Sequence, residues 1–282
     1  MKRAATTEAT KPRVLVVAGS DSGGGAGIQA DIKTITMLGG FAMTAVTALT
    51  AQNTLGVDEV MAVEPRFVAQ QMKSVLSDLG ADAIKTGMLG SARVVEVVAD
   101  MCESLAFGVP LIVDPVMVAK GGARLLDKGA HDALVLRLLP LASLVTPNVP
   151  EAEILTGMRI SSLRDMERAA DALLGLGPSA VLMKGGHLEG DTVVDILRTA
   201  DGAEHRFESP RIATRSTHGT GCTLASGIAA GIAEGLTLQG SVARARAFVV
   251  KAIELAPGLG RGHGPLEFAH PLLLATPAAP GR

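Results

Sequence analysis

The chain has 282 residues, 48% hydrophobic and 19% charged, with a formal net charge of −2, a balance that suits a well-buried globular protein and excludes a disordered one. It supplies no basic field for a polyanion, and 6 Phe with no Trp or Tyr leave no stacking platform for single-stranded nucleic acid. Any heterocyclic ligand must therefore be gripped by aliphatic, methionine and polar groups.

In chain order, residues 1–12 read as a polar tail, and 13–18 as a buried strand. A glycine-rich turn at 19–27 leads into a helix at 28–38, ended by Gly39 and Gly40. A strand follows at 44–51, a helix at 65–79, a strand at 83–85, a helix at 92–106 and a strand at 111–113. Further strands are expected at 144–145 and 180–183, with a helix at 163–174 between them. Residues 192–197 alternate in polarity and suit an antiparallel addition, and two helices at 222–234 and 241–255 close the pattern. Strands alternating with helices of this length predict one α/β domain of three layers (αβα), with a mostly parallel central sheet covered on both faces. The domain is expected over 13–270, with a second tail at 271–282.

The start, MKRAATTEATKPR, is polar without an apolar leader, and no apolar run reaches the ~18 residues of a membrane span. Cys102 and Cys222 make no disulfide framework. A cytoplasmic protein with reduced thiols is expected, without a nucleic-acid or membrane partner.

Ligands of such sheets gather at the carboxyl ends of the strands, where several unusual residues fall. Residues 18–31, AGSDSGGGAGIQAD, permit positive φ and close approach of a ligand to bare backbone. The segment is neither a Walker A loop nor a GxGxxG fingerprint, and a tight turn that only packs is an equal alternative. Asn148 and Glu151 sit three apart at the mouth of a helix. They could serve Mg²⁺ through water, or could simply form a capping box. Asp114 and Lys184 also follow strands, and the lysine could meet a phosphate as a point charge or lie in a surface turn. The strongest segment is 216–235, where Gly219, Thr220 and Gly221 open a long helix of small residues. Bare N–H groups at such a start favour an anion; an ordinary helix cap with Cys222 as a small buried residue is the alternative.

Taken together, seven segments resemble the hydroxymethylpyrimidine kinase family over residues 13–265: 18–31, TALTAQNTLGV at 47–57, KTGMLG at 85–90, VDPVM at 113–117, LVTPNVPEAEIL at 144–155, LMKGGH at 182–187 and HGTGCTLASGIAAG at 218–231. The resemblance implies a ribokinase-like fold without a separate lid domain. It implies ATP-dependent phosphorylation of 4-amino-5-hydroxymethyl-2-methylpyrimidine, and then of its monophosphate, in thiamine biosynthesis, with ATP and Mg²⁺ as cofactors and a homodimer as the assembly. Gln52 is similar to the family's pyrimidine-recognising glutamine, and Gly19, Asp31 and Met88 fall at positions lining that pocket. Gly219 and Gly221 match the anion hole, and Cys222 falls where the superfamily usually carries an aspartate base. Asn148, Lys184, Thr217 and Thr220 fall on the nucleotide side, with Glu151, through water, and Asp114 toward the metal. A pyridoxal or pyridoxine kinase of the same superfamily, or a non-catalytic nucleotide-binding sensor, remains the alternative. No fused second domain is expected.

Overall fold

The computed structural model describes residues 11–117 and 128–275. Strand β1 (Arg13–Ala18) runs into the glycine-rich turn and helix α1 (Gly27–Met37). Then come β2 (Phe41–Val46), β3 (Ala48–Gln52), β4 (Val57–Ala62), α2 (Pro65–Asp78), β5 (Ala83–Thr86), α3 (Ala92–Leu105) and β6 (Leu111–Val113). After α4 (Lys128–Ala133) and a tightening helical turn, the chain continues through β7 (Leu144–Val145), α5 (Val149–Thr156), α6 (Leu163–Leu174) and β8 (Ala180–Met183). It ends with β9 (Thr192–Thr199), β10 (Glu204–Pro210), α7 (Thr220–Ala233), α8 (Leu238–Glu254) and α9 (His270–Ala275).

Eight strands form one sheet in the order β10-β9-β8-β7-β6-β5-β1-β2. Its β2-to-β8 portion is parallel, and β9 and β10 add antiparallel at one edge. The period of two sends Leu15, Val17, Val113 and Val145 to the face covered by α2, α3, α5 and α6. Val14, Val16, Ile112 and Leu144 go to the other face, under α1, α7 and α8. Close packing of α7 on α8 uses two glycines: a Cβ on Gly227 would come 2.9 Å from the Ala245 Cβ, and one on Gly231 2.6 Å from the Ser241 hydroxyl. The expected three-layer architecture is present. Strand order reverses at β1, whose neighbours are β2 and β5, so the crevice beyond the ends of β1 and β5 is where a ligand belongs.

Two expectations need correction. The strand expected at 44–51 is broken at Thr47, whose amide bonds to the Ala18 carbonyl and whose hydroxyl donates to the Met88 carbonyl at 2.6 Å. The chain thereby leaves the main sheet, and β3 pairs antiparallel with β4 in a separate two-stranded arm. Of the tail expected over 271–282, residues 271–275 are helical instead, within α9 (His270–Ala275). Residues 1–10 and 276–282 of the expected tails lie outside the described residues. At the front, Pro12 already belongs to the fold, its carbonyl accepting from the Phe41 amide at 2.7 Å.

Candidate active site

A cavity of ≈ 810 Å³ opens along the carboxyl ends of the strands. Gly19, Gln52 and Met88 line one end, Asn148, Glu151 and Lys184 another, and Thr217, Gly219, Thr220, Gly221 and Cys222 lie between. The glycine-rich turn is held by Asp21, which is 2% exposed. Its Oδ1 accepts from the Gly23 amide at 2.8 Å, and its Oδ2 from Gly25 at 3.0 Å and Ala26 at 2.8 Å. His218 Nε2 lies 2.8 Å from the same Oδ2. Burial opposes charge on Asp21, but the His218 and backbone hydrogen bonds outweigh it and hold the carboxyl below its ordinary value. Gly19 leaves the space that the Met88 methyl occupies.

Gln52, at the end of β3, accepts from the Thr50 hydroxyl at 3.2 Å through Oε1, and its Nε2 lies 3.4 Å from His218 Nε2. An ionised Asp21 can only accept, so His218 Nε2 carries the proton in the 2.8 Å contact. That nitrogen then has no lone pair for Gln52, whose amide donors are left for a ligand in the cavity.

The phosphate end is built on α7. Gly219 caps the helix at φ +83, and a Cβ there would overlap the Gly25 carbonyl oxygen. Lys184 Nζ lies 3.2 Å and the Asp114 carboxylate 3.6 Å from where a Gly221 Cβ would sit. Asp114 accepts from Lys184 Nζ at 3.0 Å and from the Thr146 hydroxyl at 3.1 Å. Asn148 and Glu151 form the reciprocal capping box, at 2.9 and 2.8 Å, so the capping alternative is realised. It also fixes Glu151 with its Oε2 3.9 Å from Lys184 Nζ. Burial pushes the Glu151 carboxyl up to about 7, against the pull of Lys184 and with a further push from Asp114. Burial disfavours charge on Lys184, but Asp114 and Glu151 more than offset this and keep its ammonium above the ordinary value. Capping and a second duty toward a cation are therefore compatible.

Two sequence expectations change. Asp31 is wholly buried and does not line the cavity. It accepts from Lys85 Nζ through both oxygens at 3.0 Å, and from the Ser226 hydroxyl at 2.6 Å. Its role is to hold Lys85, which does line the cavity. Cys222, at the position of the superfamily's base, is biased toward the neutral thiol in the ligand-free chain. Burial pushes it up to about 11; Lys85 pulls it down, and Asp31 and Asp114 push it further up. Alkylation of Cys222 by iodoacetamide should thus rise about tenfold per pH unit from pH 7 to 9.5 without a plateau, because only the thiolate reacts. Mass spectrometry of the modified peptide reads it, and a plateau below pH 8 would show a pre-formed thiolate.

Asp21 and Lys85 were missed as site residues. A lysine inside a four-residue strand of a doubly covered sheet was the signal for Lys85, since such a strand should read as a continuous apolar run. Asp21 sat unmarked among glycines. Asp195 and Arg246, paired at 2.8 Å, also reach the cavity wall, and the only hint was an aspartate within the alternating 192–197 stretch.

An αβα sheet with the glycine-capped start of α7 lining the cavity at its switch point is the architecture of the ribokinase-like kinases. The phosphomethylpyrimidine kinase family matches residues 21–267. A thiamine biosynthesis bifunctional protein of Geobacter sulfurreducens is 56% identical over 256 residues, 90% of this chain and 51% of that protein. The chain thus spans about half the length of that relative. The hydroxymethylpyrimidine/phosphomethylpyrimidine kinase of Streptomyces coelicolor is 47% identical over 94% of this chain and 97% of its own. Among solved structures, an ADP complex of Bacillus subtilis pyridoxal kinase superimposes with a TM-score of 0.85 at 32% identity, covering 94% of this chain and 100% of that one. The chain belongs to the phosphomethylpyrimidine kinase family.

Proposed function

We propose that the chain transfers the γ-phosphoryl group of ATP to the hydroxymethyl oxygen of 4-amino-5-hydroxymethyl-2-methylpyrimidine, and then a second phosphoryl group to the monophosphate. The observation that carries this reading is the free Gln52 Nε2 donor group, in the same cavity as Met88, the Gly219-Thr220-Gly221 turn and Lys184. An amide offers both donor and acceptor to an aminopyrimidine edge without charge. The Met88 thioether supplies a polarizable surface for the ring. In the transfer, a bond forms from the acceptor oxygen to phosphorus and the bond from phosphorus to the ADP oxygen breaks. The turn's N–H groups and Lys184 face the equatorial oxygens, where charge is spread in a loose transition state. The alcohol proton becomes acidic only as the new bond forms and passes to a phosphoryl oxygen or to water, so the transfer does not require Cys222 to be a thiolate. Thr217 and Thr220, on the cavity wall, would lie beside the polyphosphate, with Asn148 on the same nucleotide side.

Among the described residues, no three His, Cys, Asp or Glu side chains form a metal cluster. Mg²⁺ does not need one: it takes one or two carboxylates, keeps waters and completes its shell with phosphate oxygens. Asp114 and Glu151, either side of Lys184, fit that donor set, and Mg²⁺ bound there would neutralise β- and γ-phosphate charge. A homodimer in the cytoplasm is the assembly and address we assign; among the described residues no helix is long and apolar enough to cross a membrane.

The similarity to a pyridoxal kinase over 94% of the chain favours one second reading, in which pyridoxal is also an acceptor. A coupled ADP-release assay with each heterocycle decides between them. Turnover of the pyrimidine is expected; turnover of pyridoxal alone reverses the assignment, and turnover of neither leaves a sensor. Gln52→Ala should raise the KM for the pyrimidine by the ~1–3 kcal/mol of an unpaired polar edge and leave the KM for ATP nearly unchanged. An unaltered pyrimidine KM removes Gln52 from the site.

A further inference from the structure

His218 joins two parts of the cavity that are far apart in sequence. Its ring lies between the acceptor side, through Gln52, and Asp21, which fastens the glycine-rich turn. Its backbone immediately precedes Gly219. The two loops are in direct contact: a Cβ on Gly219 would overlap the Gly25 carbonyl, and a Cβ on Gly25 would come 2.6 Å from His218 Cδ2. The arm is stitched to the same turn, since the Ser22 hydroxyl donates to the Gln52 carbonyl and accepts from the Gln52 amide, both at 2.8 Å. Ser20 donates its amide to the Ala48 carbonyl at 2.8 Å.

We propose that Asp21 and His218 are positioning residues that couple occupancy of the acceptor pocket to the geometry of the Gly219-Thr220-Gly221 turn. The proposal rests on the functional reading above. The element with two states is the Gln52 amide. With its nitrogen toward His218, as here, two donors face each other and the contact is weak. With its oxygen turned toward His218, the single Nε2 hydrogen is shared between Gln52 and Asp21, and both partners hold the ring through that one nitrogen. A heterocycle that pairs with Gln52 fixes one orientation and so selects one placement of the His218 ring. That placement passes to Gly219 through the peptide bond and through the Gly25 contact. A ligand shifts such an equilibrium only by its differential affinity for the two states, and the effect must be reciprocal.

The test is isothermal titration of the full chain with β,γ-methylene ATP, with and without a saturating heterocyclic alcohol that the enzyme phosphorylates. In the wild type the alcohol should tighten analogue binding by at least about 5-fold, the low end of ordinary coupling, and the analogue should tighten the alcohol by the same factor. His218→Leu should bring that ratio to about one. His218→Gln, which can still donate to Asp21, should restore most of the ratio. A ratio that survives in His218→Leu overturns the proposal, as does a ratio of one in the wild type. A ratio lost equally in both variants assigns His218 to loop packing and overturns it too. A wild type that phosphorylates neither the pyrimidine nor pyridoxal sinks the functional reading first and the coupling with it, so the two failures are distinct.

Discussion

Gly221→Ala should lower kcat by about 10²–10³-fold while the protein keeps its fold. The residue stands in the first turn of α7, where its N–H group has no partner within the helix. Its φ is not positive, so an alanine meets no backbone strain there. The added Cβ would come 3.2 Å from Lys184 Nζ, the movable end of a long side chain, and 3.6 Å from the Asp114 carboxylate. It would therefore sit where phosphoryl oxygens must pass between the turn and Lys184. Phosphoryl transfer depends almost wholly on positioning and charge stabilisation, so a methyl group in that space costs rate more than stability. Gly219 is a poorer probe. At φ +83 any side chain is strained, and its Cβ would overlap a backbone carbonyl that cannot swing aside. Steady-state kinetics together with a melting curve of Gly221→Ala check this. A near-normal kcat with ATP would mean that the turn does not hold the transferred group.

Much of this arrangement is legible in the sequence because it is local. The αβα order follows from apolar runs alternating with amphipathic stretches. The capping box of Asn148 and Glu151 needs only residues three apart. The glycine-capped start of α7 is written in three consecutive residues. The parts that were missed depend on contacts across long sequence distances. Nothing near Asp21 announces that His218, 197 residues later, will face it. Asp31 sits in a motif that suggests a ligand, yet α1 turns it inward to meet Lys85, 54 residues on. The break at Thr47 is likewise set by partners elsewhere, the Ala18 and Met88 carbonyls, which pull a continuous strand-like run out of the main sheet. Cys222 shows the electrostatic version of the same limit. A helix N-terminus argues for a lowered thiol pKa, but the burial that outweighs it exists only once the layers have packed.

The largest stability effect is expected at Lys85. Its side chain is wholly buried and its ammonium meets both Asp31 oxygens at 3.0 Å, with the Ser226 hydroxyl as a third partner on the carboxylate. Strand β5 sets this geometry: Lys85 shares a face with Ala83, the face that packs on α1 and α7. Burial works against the ammonium, and Asp31, with help from Asp114, raises it above its ordinary value despite that. Lys85→Met keeps most of the volume and removes the charge. Asp31 is then left buried without its cation, which costs about 3–5 kcal/mol. That is a large share of the roughly 5–15 kcal/mol that holds an ordinary domain together. Adding Asp31→Asn removes the orphaned charge and keeps an oxygen for Ser226, so the double variant should regain more than half of the loss. This follows because the penalty lies in the unpaired charge and not in a strong net attraction between the two. Denaturant titration of the single and double variants reads both values. If the double variant is as unstable as Lys85→Met alone, packing around the lysine stem and not charge balance governs this layer. If Lys85→Met is nearly as stable as the wild type, the Asp31 carboxyl has simply taken up a proton, and the pair is not held by charge.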